Sequence, residues 1–232
     1  MSVIRSAGAL VFLACLLARA EDPAWKRKPV AQWGNADAVQ ILTDSPWSKN
    51  VTPLWVRDLS VDERRSGGNM EASQGKGVGL AGLGIFGSAR QAEAIRKAHE
   101  KPDPGTVLVR WESANPVQVA ARKMDEQNGP EMDDDYYAIA VHDVLTPKRW
   151  NLANELKGIA GLKRNDKKDL KPVKVQILRT DEEHATVVYY FKRSAEISKK
   201  DAYVTFFAQI GRLFVSSVFS MADMQILSQL EL

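Results

Sequence analysis

Between residues 203 and 219 the chain alternates: Val204, Phe206, Ala208 and Ile210 are apolar at every second position, Gly211 interrupts, and Leu213, Val215 and Phe219 follow. A period of two belongs to a strand with one face buried, and a glycine between two such runs predicts a hairpin. Residues 173–179 and 186–192 predict a second hairpin around Asp181, Glu182 and Glu183. Two consecutive hairpins commit this end of the chain to an antiparallel sheet, one face of which must be covered.

Upstream, strands and helices alternate. Residues 106–112 and 136–144 are rich in β-branched and aromatic side chains and predict strands. Asn115-Pro116 opens a helix, with asparagine as its cap and proline in its first turn. Another helix is expected after Thr146-Pro147, carrying Leu152, Leu156 and Ile159. The first helix should start at Asn35 and stop before Ser45-Pro46, because proline forces its predecessor out of helical geometry. Trp33, Trp47 and Trp55 bracket it and are expected to pack it onto the core; the alternative is a sugar-stacking surface. The fold class predicted is α+β, with N-terminal and central helices packed on a mainly antiparallel C-terminal β-sheet. Met224, Ile226, Leu227, Leu230 and Leu232 keep the chain apolar to its end, predicting that a segment within 225–232 docks on the same sheet as an edge strand; a short helix over 222–230 competes. Lys163, Arg164, Lys167, Lys168 and Lys171, interleaved with Asn165, Asp166 and Asp169, read as an exposed linker.

The first 20 residues are of a different kind: Arg5, an apolar run from Ala7 to Ala18, then Ala18-Arg19-Ala20 before Glu21. A cationic start, a short apolar run and a small-x-small triplet predict a cleaved secretory signal, and the run is too short to span a bilayer. Cys15 is the only cysteine and lies in this leader. The exported chain would then have no disulfide, thiol nucleophile or thiolate metal site, and must stand on its core. The 32 basic residues against 29 acidic ones give +3, and loss of Arg5 and Arg19 with the leader leaves 30 against 29. Such a balance does not point to nucleic acid, and no other stretch is apolar enough to cross a membrane as a helix.

Residues 66–87 hold eight of the 15 glycines. Gly77-Val78-Gly79-Leu80-Ala81-Gly82 and Gly82-Leu83-Gly84-Ile85-Phe86-Gly87 both have the G-x-G-x-x-G spacing of a phosphate cradle. The strand that must precede one is missing, since Arg64-Arg65-Ser66-Gly67-Gly68-Asn69 is polar, and two overlapping matches indicate biased composition. No cofactor is expected. The organisation predicted is a signal peptide at 1–20, an N-terminal helix and strand region at 21–65, a flexible glycine-rich loop at 66–87, and an α+β core at 88–232 that forms one domain with 30–65.

Six stretches stand out in order along the chain: 36–47, Val109-Arg110-Trp111-Glu112-Ser113-Ala114, 136–141, Gly161-Leu162-Lys163-Arg164, Val188-Tyr189-Tyr190-Phe191-Lys192-Arg193, and 224–232. In these the chain resembles a group of exported bacterial proteins of unknown function. The resemblance implies a single exported unit and supplies no activity. Most members of the group carry a polar or glycine turn where this chain has His142-Asp143, so the resemblance builds no site on that pair.

Candidate chemistry is sparse. His99, His142 and His184 show no pair at metal-ligand spacing. Glu131, Asp133, Asp134 and Asp135 offer carboxylate oxygens to a hard cation but lack the glycine and distal glutamate of a calcium loop; a solvated loop is the expectation, with the three aspartates as weak metal candidates. No serine lies in a nucleophile elbow. Glu112, beside Trp111 and Ser113 at a strand end, is a weak candidate for a general base, and His142 a second weak catalytic candidate. The function expected is a non-enzymatic binding or structural module of the cell envelope, meeting an envelope protein or polymer. The alternative is a secreted or periplasmic hydrolase using Glu112 and nearby acidic residues.

Overall fold

The computed structural model describes residues 22–56, 62, 104–126, 129–145, 153–194 and 196–232. The leader, the glycine-rich run at 66–87, the helix expected after Thr146-Pro147 up to residue 152, and His99 lie outside the described residues. Within them the chain is α+β. Its strands form two five-stranded antiparallel sheets, not one C-terminal sheet.

The first sheet has the order β1 (Ser48–Val51), β3 (Val107–Trp111), β4 (Tyr136–Leu145), β8 (His184–Lys192), β7 (Lys174–Arg179). The second has the order β2 (Leu54–Trp55), β10 (Leu213–Ser220), β9 (Tyr203–Ile210), β5 (Ala160–Arg164), β6 (Lys167–Leu170). Both predicted hairpins are present, β7 with β8 and β9 with β10, and Gly211 sits at φ 59° in the turn of the second. The alternating apolar residues of each sheet meet in one core. Trp111 of the first sheet stacks edge-on against Phe219 of the second at 5.1 Å between ring centres, and Tyr189 meets Phe206 at 5.4 Å. All four rings are fully buried, and each such burial contributes about 1.5–3 kcal/mol.

Helix α2 (Asn35–Thr43) buries Ala38, Ile41 and Leu42 in the same core and packs on α3 (Asn115–Lys123), which buries Val117 and Ala120. Asn35 does not cap α2. Gly34 takes that position, and its N–H donates to Asp37 Oδ2 at 2.8 Å. Two serine hydroxyls, Ser45 and Ser48, both donate to the carbonyl of Ile41 at 2.7 Å and close the helix end that proline terminates. Ala114, not Asn115, is the N-cap of α3. Trp33 and Trp47 are buried, as expected of packing residues, and the Trp47 Nε1–H donates to the carbonyl of Glu231 at 2.8 Å. Two shorter α-helices, α1 (Ala24–Arg27) and α4 (Ala153–Gly158), and 3-10 turns at Val30–Gln32 and Lys199–Asp201 are also present. No helix of the described residues is long and apolar enough to cross a membrane.

Two further expectations fail in the structure. The basic stretch is not a linker: β5 and β6 form a hairpin through Asn165-Asp166, and Arg164 is buried, donating to the carbonyl of Lys168 at 2.8 Å. The lysines of β6 lie on the sheet's outermost strand, where charge discourages pairing with another chain. The C-terminal segment joins neither sheet and forms no helix. It folds on itself as β11 (Gln225–Ile226) and β12 (Gln229–Leu230), while Met221, Met224 and Ile226 enter the core.

Candidate functional site

Because strand residues alternate between faces, each inward core residue of the first sheet leaves a neighbour on the outer face. Leu108 and Arg110 of β3 pair with His142 and Ala140 of β4, and Ala140 and Ala138 pair with Val188 and Tyr190 of β8. This outer face is not a solvated surface. Ala138, Ala140, Val188 and Tyr190 are all buried there. The two alanines leave room above the strands for longer side chains. The Tyr190 hydroxyl donates to Gln176 Oε1 at 2.7 Å, and Lys174 Nζ lies 4.9 Å above its ring.

One residue past β3, on the same face, Glu112 is 4% exposed. Its Oε1 accepts from Arg110 Nε at 2.8 Å and contacts His142 Nε2 at 2.6 Å. The rest of the Arg110 guanidinium forks onto Glu126, at 2.9 and 3.3 Å. The other ring nitrogen of His142, Nδ1, faces the Thr186 hydroxyl at 3.2 Å. Burial pushes the Glu112 carboxyl up, but the hydrogen bond with His142 and the charge of Arg110 outweigh it and hold the group below its ordinary value. Burial likewise opposes the charge of Arg110, and the two glutamates reverse that. Desolvation, then the charges of Glu131 and Glu112, push the Tyr190 phenol up to about 12.

His142 follows Ala138 and Ala140 on the outer face, and a β-bulge begins at it. Val141 pairs with Val187 and Val144 with Ala185, so His142 and Asp143 together oppose Thr186. Asp143 is left-handed at φ 57°, a conformation aspartate tolerates better than most residues.

Sequence reasoning therefore named Glu112 and His142, which the fold brings into contact. It missed Arg110, Glu126 and Thr186. Arg110 was visible in principle, since positions 110 and 112 share a strand face. The other candidates lie elsewhere. Asp133 accepts from the backbone N–H of Asp135 at 2.9 Å in the turn before β4. Among the described residues no group of three histidines, cysteines or carboxylates is placed to hold a metal ion. His184 opens β8 beside the β7–β8 turn, where its ring contacts the Asp181 carboxylate at 3.0 Å; that hydrogen bond raises its pKa.

The outer face of the second sheet contrasts with this one. Leu54, Phe214 and Val218 alternate outward with Tyr203 and Phe207 of the neighbouring strand. Tyr203 is 60% exposed, Val218 55% and Leu54 45%, while the two phenylalanines are half-buried. Phe207 lies across Gly161, where an added Cβ would come within 2.6 Å of the ring. Lys171 stands over the same ring at 5.9 Å.

Compared with protein-family models, curated proteins and solved structures, the chain matches none.

Proposed function

We propose that this is an exported binding module of the cell envelope, and that the open face of the second sheet holds an envelope polymer. One observation carries the reading: Tyr203, Phe207, Phe214, Val218 and Leu54 share a solvent-facing sheet surface while their strand neighbours fill the core. Isolated exposed apolar residues need no explanation, but a contiguous patch of them indicates an interaction surface. Aromatic rings interleaved with the hydroxyls of Thr205, Ser216 and Ser220 suit the mixed apolar and hydroxyl faces of a glycan chain. Export rests on the leader pattern of residues 1–20. The hydrolase reading with Glu112 as base is not favoured: that carboxylate is buried and held by Arg110 and His142, which leaves it a poor proton acceptor.

The test is co-sedimentation of the purified chain with insoluble cell-wall polysaccharide. Saturable binding, weakened by Tyr203→Ser with Val218→Ser, supports the proposal. Binding that is absent, or indifferent to both substitutions, overturns it. Envelope protein, not glycan, as the captured species would overturn the polymer as partner.

A further inference from the structure

The contacts around His142 fix its tautomer. Ionised carboxylates only accept hydrogen bonds, so at the 2.6 Å contact with Glu112 the proton must sit on His142 Nε2. In the neutral ring Nδ1 then carries a lone pair, and the Thr186 hydroxyl 3.2 Å away must be the donor. A hydroxyl donating to an imidazole whose other nitrogen is held by a buried carboxylate has the connectivity by which an alcohol side chain becomes a nucleophile. The contact follows from the register: Val141 pairs with Val187, so His142 stands opposite Thr186 on the outer face, and the left-handed Asp143 is the extra residue of the bulge.

We infer that Thr186, His142 and Glu112 form a nucleophilic relay for acyl transfer, acting on a small ester with an apolar acyl group. Thr186 Oγ1 attacks the ester carbonyl as its proton passes to His142 Nδ1. The carbon–alkoxide bond breaks, and the departing alcohol takes that proton. Water, deprotonated by the same nitrogen, then attacks the acyl-threonine; the carbon–Oγ1 bond breaks, Thr186 recovers a proton, and the acid leaves. Ester and water become acid and alcohol, with no redox step. Glu112 is a positioning residue, and Arg110 keeps its charge in place. Half-buried Leu178 pairs directly with Thr186, so the surface beside the hydroxyl is apolar and suits an apolar acyl group. This inference is independent of the binding reading, which concerns the other sheet.

The experiment incubates the purified chain with p-nitrophenyl butyrate, follows p-nitrophenolate release, and locates any butyryl group by peptide mass spectrometry. Acylation at Thr186 is expected. Thr186→Val, close in shape, should keep the urea midpoint near wild type and lower the rate on the order of a hundredfold or more, as should His142→Gln; Thr186→Ser should retain both adduct and turnover. For Glu112 the readout is the pH profile. The charged groups around the relay are Glu112, Arg110, Glu126 and the bulge residue Asp143, and Glu112→Gln removes the carboxylate from beside the ring while Arg110 keeps Glu126, moving the acid limb to lower pH. No butyryl-Thr186 in the wild type, or a folded Thr186→Val variant at the wild-type rate, overturns the inference.

Discussion

Replacing Arg110 by methionine keeps the aliphatic stem and removes the cation. Two carboxylates lose a partner, but unequally. The Glu126 side chain is 35% exposed and returns to water at little cost; Glu112, at 4%, cannot. Breaking a buried pair from one side typically costs about 3–5 kcal/mol, because it strands a charge in a poorly solvated site. That is a large share of the roughly 5–15 kcal/mol that holds a domain folded. Glu112→Gln should cost less, about 1–3 kcal/mol, since Arg110 keeps Glu126 and His142 keeps a polar neighbour. The double variant should be no less stable than Arg110→Met alone, because the stranded charge is gone. Urea unfolding of the four proteins, with midpoints and slopes compared, closes the cycle. Additivity within about 0.5 kcal/mol, or an Arg110→Met cost below about 1 kcal/mol, would refute the reasoning that Glu112 depends on this cation.

Gly161→Ala should destabilise by about 1–3 kcal/mol, since the new methyl would meet the Phe207 ring at 2.6 Å; Gly161→Ala with Phe207→Leu should recover part of the loss, measured by urea midpoint. The two-residue turn between β11 and β12 places Leu227 at φ 48° and Ser228 at φ 66°, so Leu227→Asn with Ser228→Gly should stabilise by about 1 kcal/mol, and a fall in thermal midpoint would contradict the turn geometry. Hydrogen bonding from Gly34 depresses Asp37, while Glu112 and Asp201 are buried but held low by His142 with Arg110 and by Lys167. A depressed carboxyl contributes stability above its unfolded pKa and loses it as pH falls, so urea midpoints should drop below about pH 4.5; Glu231, raised by burial, opposes this, and a midpoint that rises on acidification would contradict the assignment.

The strands of the C-terminal half were legible because alternation records burial directly: every inward position of β9 and β10 except Ser217 is apolar. Their division into two sheets was not, because which strands pair depends on contacts between distant segments such as β1 with β3 and β2 with β10. The β5–β6 hairpin was hidden by its charges, which resemble a linker in composition, although those of β6 belong to an edge strand and Arg164 of β5 is buried. At the site, Glu112 and His142 were visible as residue types, but their contact joins positions 30 apart, and the His142 contact with Thr186 joins positions 44 apart. A trace of the bulge was present. The inward residues of β4 run Ile139, Val141, then Val144, and that skipped beat in the alternation marks the extra residue, so that His142 and Asp143 both oppose Thr186.

The claim that the second sheet's open face meets an envelope glycan is tested most directly by hydrogen–deuterium exchange of the full chain with and without soluble cell-wall polysaccharide. Slowed exchange confined to β9, β10 and the adjoining β2 is the predicted result. Slowed exchange around His142 and Thr186 instead, or no change anywhere, would contradict it.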